Sequence, residues 1–334
     1  RPNTPAVWRR RLEAIFEPRF EVNGLVLFVN VVFGYLRIGR QMARDAQTLI
    51  NDAELAQSIS QNTPAVIWTQ YTRALERRIR AAAVTTRDLR HAIERDELTL
   101  YYQPQVDLAS GAVLGAEGLL RWQHAERGMI PPDEFIPLAE QSQLIGPIGE
   151  WVLRLACRDL RASLDAGLDI LPVSVNLSLV QFQLGVVPDI VERALTDFGI
   201  DPHLLKLEIT ESVFQEFSGV FTRDLRTLSA MGVTLSLDDF GTGYSSLAHL
   251  RDYPFDEVKI DKSFVWQLED GAYAQAIIKA VNSVAEVIGA HVVAEGVESA
   301  SHGEKLLELG CIKGQGFYYH RPLPENEWRQ LLCL

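Results

Sequence analysis

Val233-Thr234-Leu235-Ser236-Leu237-Asp238-Asp239 is a short strand-like run that ends in two acids. Helix-like text over Thr222–Met231 precedes it, and the same alternation recurs in both directions along the chain. Strand-like runs over Leu98–Gln103, Val113–Leu120, Pro172–Asn176, Leu204–Ile209, Glu257–Ile260, His291–Ala294 and Cys311–Gly316 each carry an acid, an amide or a base near the end: Gln103, Glu117, Asn176, Glu208, Lys259, Glu295 and Gln315. Amphipathic helices over Pro132–Ala139, Trp151–Ala166, Asp189–Phe198, Ala272–Ile288 and Ser301–Leu309 lie between most of them. Strands alternating with helices over roughly 250 residues predict an α/β fold, a (β/α)8 TIM-like barrel whose strand C-termini open on one face. The link Val106–Ala112, with its Ser110-Gly111 turn, is too short for a parallel crossover, so the first strand pair is expected to be antiparallel.

Polar strand ends on one barrel face would bring four or five carboxylates together. Each pair repels by roughly 4 kcal/mol at 4 Å and an effective dielectric near 20, so something cationic must sit among them. Oxygen ligands without a cysteine cluster or an HExxH pair suit hard ions such as Mg2+ or Mn2+ rather than zinc. In Asp238-Asp239-Phe240-Gly241-Thr242-Gly243-Tyr244 the acids can face an ion while the glycines admit a phosphate. An acidic turn closed by glycines is an equal reading of that segment alone. Adjacent strand residues start on opposite faces, so both acids reach the mouth only if the strand has ended. Lys259, between apolar neighbours, needs an acid or a phosphate as partner. Glu295 is either a second site acid or that lysine's salt-bridge partner. His124 and His320 stand near these motifs but read as core or surface residues.

A net charge of -12 over 334 residues argues against broad nucleic-acid or anionic-membrane binding. Three scattered cysteines exclude a disulfide framework and point to a reducing, cytoplasmic setting. The most apolar stretch, Gly24–Leu36, is interrupted by Asn30 and falls short of the roughly 20 residues of a membrane span, so no membrane insertion is expected. The chain opens at Arg1 without a signal-peptide pattern, as a piece of something longer would. No GxxxxGK[ST] loop, GxGxxG turn or GxSxG elbow is present. Metal-activated water therefore fits better than a covalent nucleophile.

Ahead of the barrel, Trp8–Phe16, Val22–Val32 and Ala43–Ile59 read as helix, strands and helix, a partial α+β segment over residues 1–71. Residues 72–97 read as a connector helix. Its apolar positions are Leu75, Ile79, Ala82, Leu89 and Ile93, and a break is expected at Thr85-Thr86. Residues 98–334 form the barrel.

Glu117-Gly118-Leu119-Leu120-Arg121-Trp122 resembles the signature of EAL domains, the cyclic di-GMP phosphodiesterases of bacterial signalling. Tyr102-Gln103-Pro104, Val175-Asn176-Leu177-Ser178, Glu208-Ile209-Thr210-Glu211, Asp238–Gly243, Val258-Lys259-Ile260-Asp261, Ala294-Glu295-Gly296-Val297-Glu298 and Gly314-Gln315-Gly316-Phe317 follow in that family's order. Gly118 stands where the family has alanine, and Ala125 where proline is common. The resemblance implies a barrel with one reversed strand and hydrolysis of cyclic di-GMP to linear pGpG. A catalytically silent cyclic di-GMP receptor is the alternative.

Carried over residue by residue, the resemblance implies that Glu117, Asn176, Glu208 and Asp238 bind one Mg2+ or Mn2+ ion, and that Asp238 and Asp239 reach a second. Lys259 and Glu295 would flank the attacking water, Glu295 as general base or second-ion ligand, with Gln315 supporting that end. Gln103, Leu120, Arg121, Asp261 and Glu298 would contact substrate, the arginine as phosphate clamp. Glu211 is expected to hold the Gly241-Thr242-Gly243 loop in place for Asp239. The segment Phe20–Ile38 with Ala43–Leu55 resembles the closing part of a GGDEF domain, without the cyclase signature. A homodimer is left open.

Overall fold

The computed structural model describes residues 5–16, 20–22, 25–27, 31–38, 45–61, 67–211, 219–241, 253–269 and 271–333. They divide into two compact units, Arg1–Val84 and Thr85–Leu334. Among the described residues no helix is long and apolar enough to cross a membrane.

In the first unit, helix α1 (Pro5–Phe16) is followed by an antiparallel pair, β1 (Phe20–Val22) and β2 (Leu25–Leu27), and then by β3 (Phe33–Tyr35). Helix α2 (Ala46–Gln61) connects β3 to its parallel partner β4 (Trp68–Gln70). The packing is local. A Cβ on Gly34 would lie 2.1 Å from the Ala53 carbonyl, so only glycine lets α2 approach β3 this closely. Phe33 stacks on Trp68 with centroids 4.1 Å apart, and Ala56, Tyr71 and Leu75 form a small buried cluster.

Helix α3 (Arg73–Leu89) covers only the first part of the helix expected over residues 72–97, and the two units divide within it. The expected break at Thr85-Thr86 does not occur. A β-branched residue costs a helix only about 0.5 kcal/mol, and the buried Thr85 hydroxyl is held by the Arg127 guanidinium at 2.8 Å. Turns over residues 90–96 follow. Glu97 then accepts a 2.9 Å hydrogen bond from the indole of the buried Trp122, which anchors the entry to the barrel.

The barrel strands are β5 (Leu98–Asp107), β6 (Val113–His124), β8 (Val173–Leu177), β9 (Leu205–Thr210), β10 (Thr234–Phe240), β11 (Glu257–Ile260), β12 (His291–Glu295) and β13 (Lys313–Gln315). β7 (Gly128–Ile130) pairs with β6, and β14 (Leu323–Pro324) with β5. β5 runs antiparallel to both β6 and β13, which closes the sheet, and every other neighbouring pair within the ring is parallel. The expected antiparallel first pair is thus present. The helices are α4 (Pro132–Gln141), α5 (Ile145–Asp165), α6 (Leu179–Gln183), α7 (Val187–Phe198), α8 (Gly219–Met231), α9 (Lys262–Val265), α10 (Ala272–Ile288), α11 (Ala300–Glu308) and α12 (Glu325–Leu331). Alternate strand residues such as Leu205, Leu207, Ile209, Leu235, Leu237, Val258 and Ile260 are buried in the apolar core, and the residues between them face the barrel interior.

Two boundaries differ from expectation in ways that matter. Helix α5 begins at Ile145 rather than Trp151, because a proline is tolerated in a first turn and Gly149 leaves room for the Gln181 amide, 2.0 Å from where a Cβ would stand. Strand β10 does not end before its acids. Leu237 pairs with Val258 and Phe240 with Ile260, so Asp238 and Asp239 together oppose Lys259 in a β-bulge.

Candidate active site

Inward-facing residues at one end of the barrel form a polar ring. Register sets Gln103 beside Glu117, Asn176 beside Glu208, and Glu295 beside Gln315. The cation demanded by these acids is Lys259. Its fully buried ammonium lies 2.6 Å from Glu295, 2.7 Å from Glu208, and 3.2 Å from both Glu117 and Asp238. Asn176 donates to Glu117 at 2.8 Å, and Gln315 donates to Glu117 at 2.8 Å and to Gln103 at 3.1 Å. The salt-bridge reading of Glu295 is therefore met in this geometry.

The electrostatics follow from crowding. Burial works against the Lys259 charge, but Asp238, Glu117, Glu208 and Glu295 outweigh it and hold the ammonium well above its usual range. Burial also pushes the Glu117 carboxyl upward, yet Lys259, Gln315 and Asn176 bring it below its ordinary value. Glu208 is driven well above its range by burial and by the charge of Glu117. Burial first, and then the Asp238 and Glu117 charges against the pull of Lys259, raise Glu295 to about 8. One ammonium cannot neutralise so many acids. Five carboxylates, Glu117, Glu208, Asp238, Asp239 and Glu295, surround one lysine, and the raised Glu208 and Glu295 retain protons that a divalent cation would displace.

The bulge solves the problem of two adjacent acids. Asp239 adopts the left-handed conformation at φ 56°, where aspartate is better tolerated than most residues, and its amide donates to the Asp238 carboxylate at 2.9 Å. One carboxylate oxygen from each of Asp238, Asp239 and Glu295 then lies within 4.8 Å of the others. Glu208 Oε1 is buried without a hydrogen-bond partner. An oxygen-only set with an orphaned buried carboxylate oxygen fits a hard divalent ion. Glu211 is buried, and its Oε2 accepts from the Gly241 amide at 2.7 Å, directly after the bulge. Thr242 and Gly243, the rest of the segment it was expected to hold, lie outside the described residues.

The substrate-contact candidates divide. Leu120 and Arg121 line a cavity of about 460 Å³ together with Asn176, Asp238 and Asp239. The Arg121 guanidinium donates to the Leu120 carbonyl at 3.0 Å and lies over the Tyr101 ring at 5.7 Å. Gln103 is tied to the His320 carbonyl at 3.2 Å. Asp261 caps α9 by accepting from the Ser263 amide at 3.0 Å, and after burial and the Asp238 charge its own charge helps to raise Asp239. Glu298 is exposed beyond β12 and makes none of the ring's hydrogen bonds described above. His124 is a core residue whose Nδ1 accepts from the Glu126 and Arg127 amides.

A second polar layer lies beneath the ring, and nothing in the sequence reading singled it out. Lys206, Glu257 and Lys313, two residues back along their strands, and Gln105, two residues on along the reversed β5, face the same interior. Lys206 bridges Glu257 at 2.9 Å, and Lys313 stands 3.8 Å from the same acid. The available signal was the i, i+2 repeat of polar residues, Lys206 with Glu208 and Glu257 with Lys259, inside otherwise apolar strands.

The EAL domain profile matches residues 86–322. MucR of Pseudomonas aeruginosa, named a bifunctional diguanylate cyclase/cyclic di-GMP phosphodiesterase, is 44% identical over 240 residues, which are 72% of this chain and 35% of that protein. The oxygen sensor protein DosP of Escherichia coli is 36% identical over 290 residues, 87% of this chain and 36% of its own length. The chain thus spans about a third of the length of these relatives. The solved structure of PaMucR phosphodiesterase in complex with c-di-GMP matches with a TM-score of 0.70 at 43% identity, covering 73% of this chain and 99% of that one. A closed barrel with one reversed strand, an acidic ring around a buried lysine, and a profile match across nearly all of the second unit agree: the chain belongs to the EAL domain family.

Proposed function

We propose that the unit Thr85–Leu334 hydrolyses cyclic di-GMP to linear pGpG with the help of Mg2+ or Mn2+. The observation that carries this reading is the ring itself, whose acids exceed what Lys259 can neutralise and bring one oxygen each of Asp238, Asp239 and Glu295 within 4.8 Å of one another. Glu117, Asn176, Glu208 and Asp238 would hold one ion, and Asp238, Asp239 and Glu295 the other. Bound ions would supply charge stabilisation for the phosphoryl oxygens and would lower the pKa of water so that, once deprotonated, it can attack phosphorus. Lys259 keeps four carboxylates from spreading apart and presents a donor beside Glu295. Arg121, braced on the Leu120 carbonyl, retains guanidinium donors for a phosphate oxygen. Gln103, Leu120, Asp261 and Glu298 are assigned to the nucleotide, and Gln315 to the support of Glu117.

The remainder of the chain completes the reading. Residues 1–71 are taken as the closing part of a GGDEF-like domain and residues 72–97 as a connector. With no cyclase signature present, no cyclase activity is assigned. Three free thiols fit a bacterial cytoplasm.

The test is incubation with cyclic di-GMP and chromatography of the products in Mg2+, Mn2+, Ca2+ or chelator. Release of pGpG in Mg2+ and Mn2+ but not in Ca2+, whose longer bonds and higher coordination number misplace the water, is expected. Equal turnover in chelator would sink the metal mechanism. Binding of cyclic di-GMP without release of pGpG would identify a receptor instead.

A further inference from the structure

The buried layer beneath the ring is joined to it by a directional chain of hydrogen bonds. Lys206 Nζ donates to Gln105 Oε1 at 3.4 Å, Gln105 Nε2 donates to Gln315 Oε1 at 3.3 Å, and Gln315 Nε2 donates to Glu117 Oε2 at 2.8 Å. Gln105 and Gln315 are buried, and Lys206 is itself held by Glu257 at 2.9 Å. The two ends of this chain cannot reverse, since an ammonium only donates and a carboxylate only accepts. Two amides between a donor-only and an acceptor-only group have a single orientation each that satisfies all the bonds. A flipped Gln315 would aim its carbonyl oxygen at the Glu117 carboxylate.

We infer that Gln105 is a positioning residue: set by Lys206, it holds the Gln315 amide with its NH2 group toward Glu117 and so aims a carboxylate that would ligate the ion. This rests on the reading of the ring as a divalent-ion centre. The function of the lower layer is then to fix the polarity of the chain from below. The ring sets the same polarity from above, since Gln103, whose own NH2 group donates to the His320 carbonyl, accepts from Gln315 as Glu117 does; Gln105 supplies the donor that the buried Gln315 Oε1 would otherwise lack.

Gln105→Glu separates this idea from a simple charge effect. The substitution keeps the size and shape of the side chain, and Lys206 is at hand to neutralise the new carboxylate, but a carboxylate cannot donate to Gln315 Oε1, so the Gln315 amide loses its hold from below and is set against another oxygen. An added negative charge in the barrel would by itself tighten a divalent cation. The relay predicts the opposite. Calorimetric titration of the apo protein with Mn2+ alone should show binding weakened roughly ten-fold or more, as for the loss of other groups that orient ligands. Gln105→Met, which removes the orienting amide without adding charge, should also weaken binding. In a Gln315→Met background Gln105→Glu should no longer weaken it. Melting temperatures in chelator within a few degrees of the wild type establish that the variants fold. Mn2+ binding as tight as or tighter than wild type in Gln105→Glu, or unchanged binding in Gln105→Met, overturns the assignment. Since the titration uses the ion alone, a wild type that binds Mn2+ but releases no pGpG defeats the hydrolase reading and leaves the relay to stand or fall by its own data.

Discussion

At Lys259 one ammonium holds four acids within 3.2 Å, and removing different members of that group should move stability in opposite directions. Lys259→Met leaves buried carboxylates facing one another and should lower stability in chelator by about 3–5 kcal/mol, as when one partner of a buried ion pair is lost. Glu208→Gln removes the most deeply buried acid and relieves that repulsion, so its melting temperature in chelator should hold or rise. Asp239→Asn should do the same, because asparagine also accepts the left-handed backbone at φ 56°. All three should lose more turnover than the roughly 10- to 100-fold typical of groups lying behind the ligands. Thermal melts with and without Mn2+, beside product chromatography, check each variant; an active Asp239→Asn protein would show that this acid is a bystander.

Strand β10 shows how an element places chemistry that its residues alone could not. In a regular strand Asp238 and Asp239 would point apart, and the bulge turns both toward Glu295. Glu211 holds the residue after the bulge through the Gly241 amide, and Gly241 itself has φ 98° with the Phe264 ring only 2.7 Å from where a Cβ would stand. Glu211→Ala should therefore lower turnover roughly 10- to 100-fold and leave one of two ions bound in a calorimetric titration. Full two-ion stoichiometry in that variant would mean the bulge needs no such support. Gly241→Ala should be worse in both respects, since it adds a clash and a strained backbone to the same position.

On the scale of the whole molecule, burial separates the thiols. Cys157 and Cys311 are both pushed up to about 12 by burial, whereas Cys333 is exposed. A thiol reagent at neutral pH should modify one cysteine in the native protein and three after denaturation; rapid native labelling of Cys157 would show that the barrel core opens readily. On the proposed metal-dependent reading, the acidic ring should also make the second unit depend on bound ions for full stability. Mn2+ at 100 times its dissociation constant should add about 2.7 kcal/mol, visible as a higher melting temperature that chelator reverses. A chain starting at Thr72 keeps all of α3 and should retain both hydrolysis and this shift; loss of either would assign the first unit a part in the site.

The alternation of apolar runs and amphipathic helices was enough to determine the barrel, because period 2 and period 3.6 are local properties of a strand and a helix. The short link at Val106–Ala112 likewise determined the reversed first strand. The polar positions from Gln103 to Gln315 were legible because such residues are conspicuous in apolar text, although Gln103 and Glu117 lie within β5 and β6 rather than at their ends. Only the tertiary structure decided what lay among them: that Lys259 is the cation at their centre, and that a bulge rather than a strand end turns Asp239 inward. It alone revealed that Gln105, Lys206 and Glu257 lie beneath the ring, because their contacts join residues 51 to 210 positions apart and depend on barrel closure. Register across strands is set by the closed sheet as a whole, and no single segment contains it.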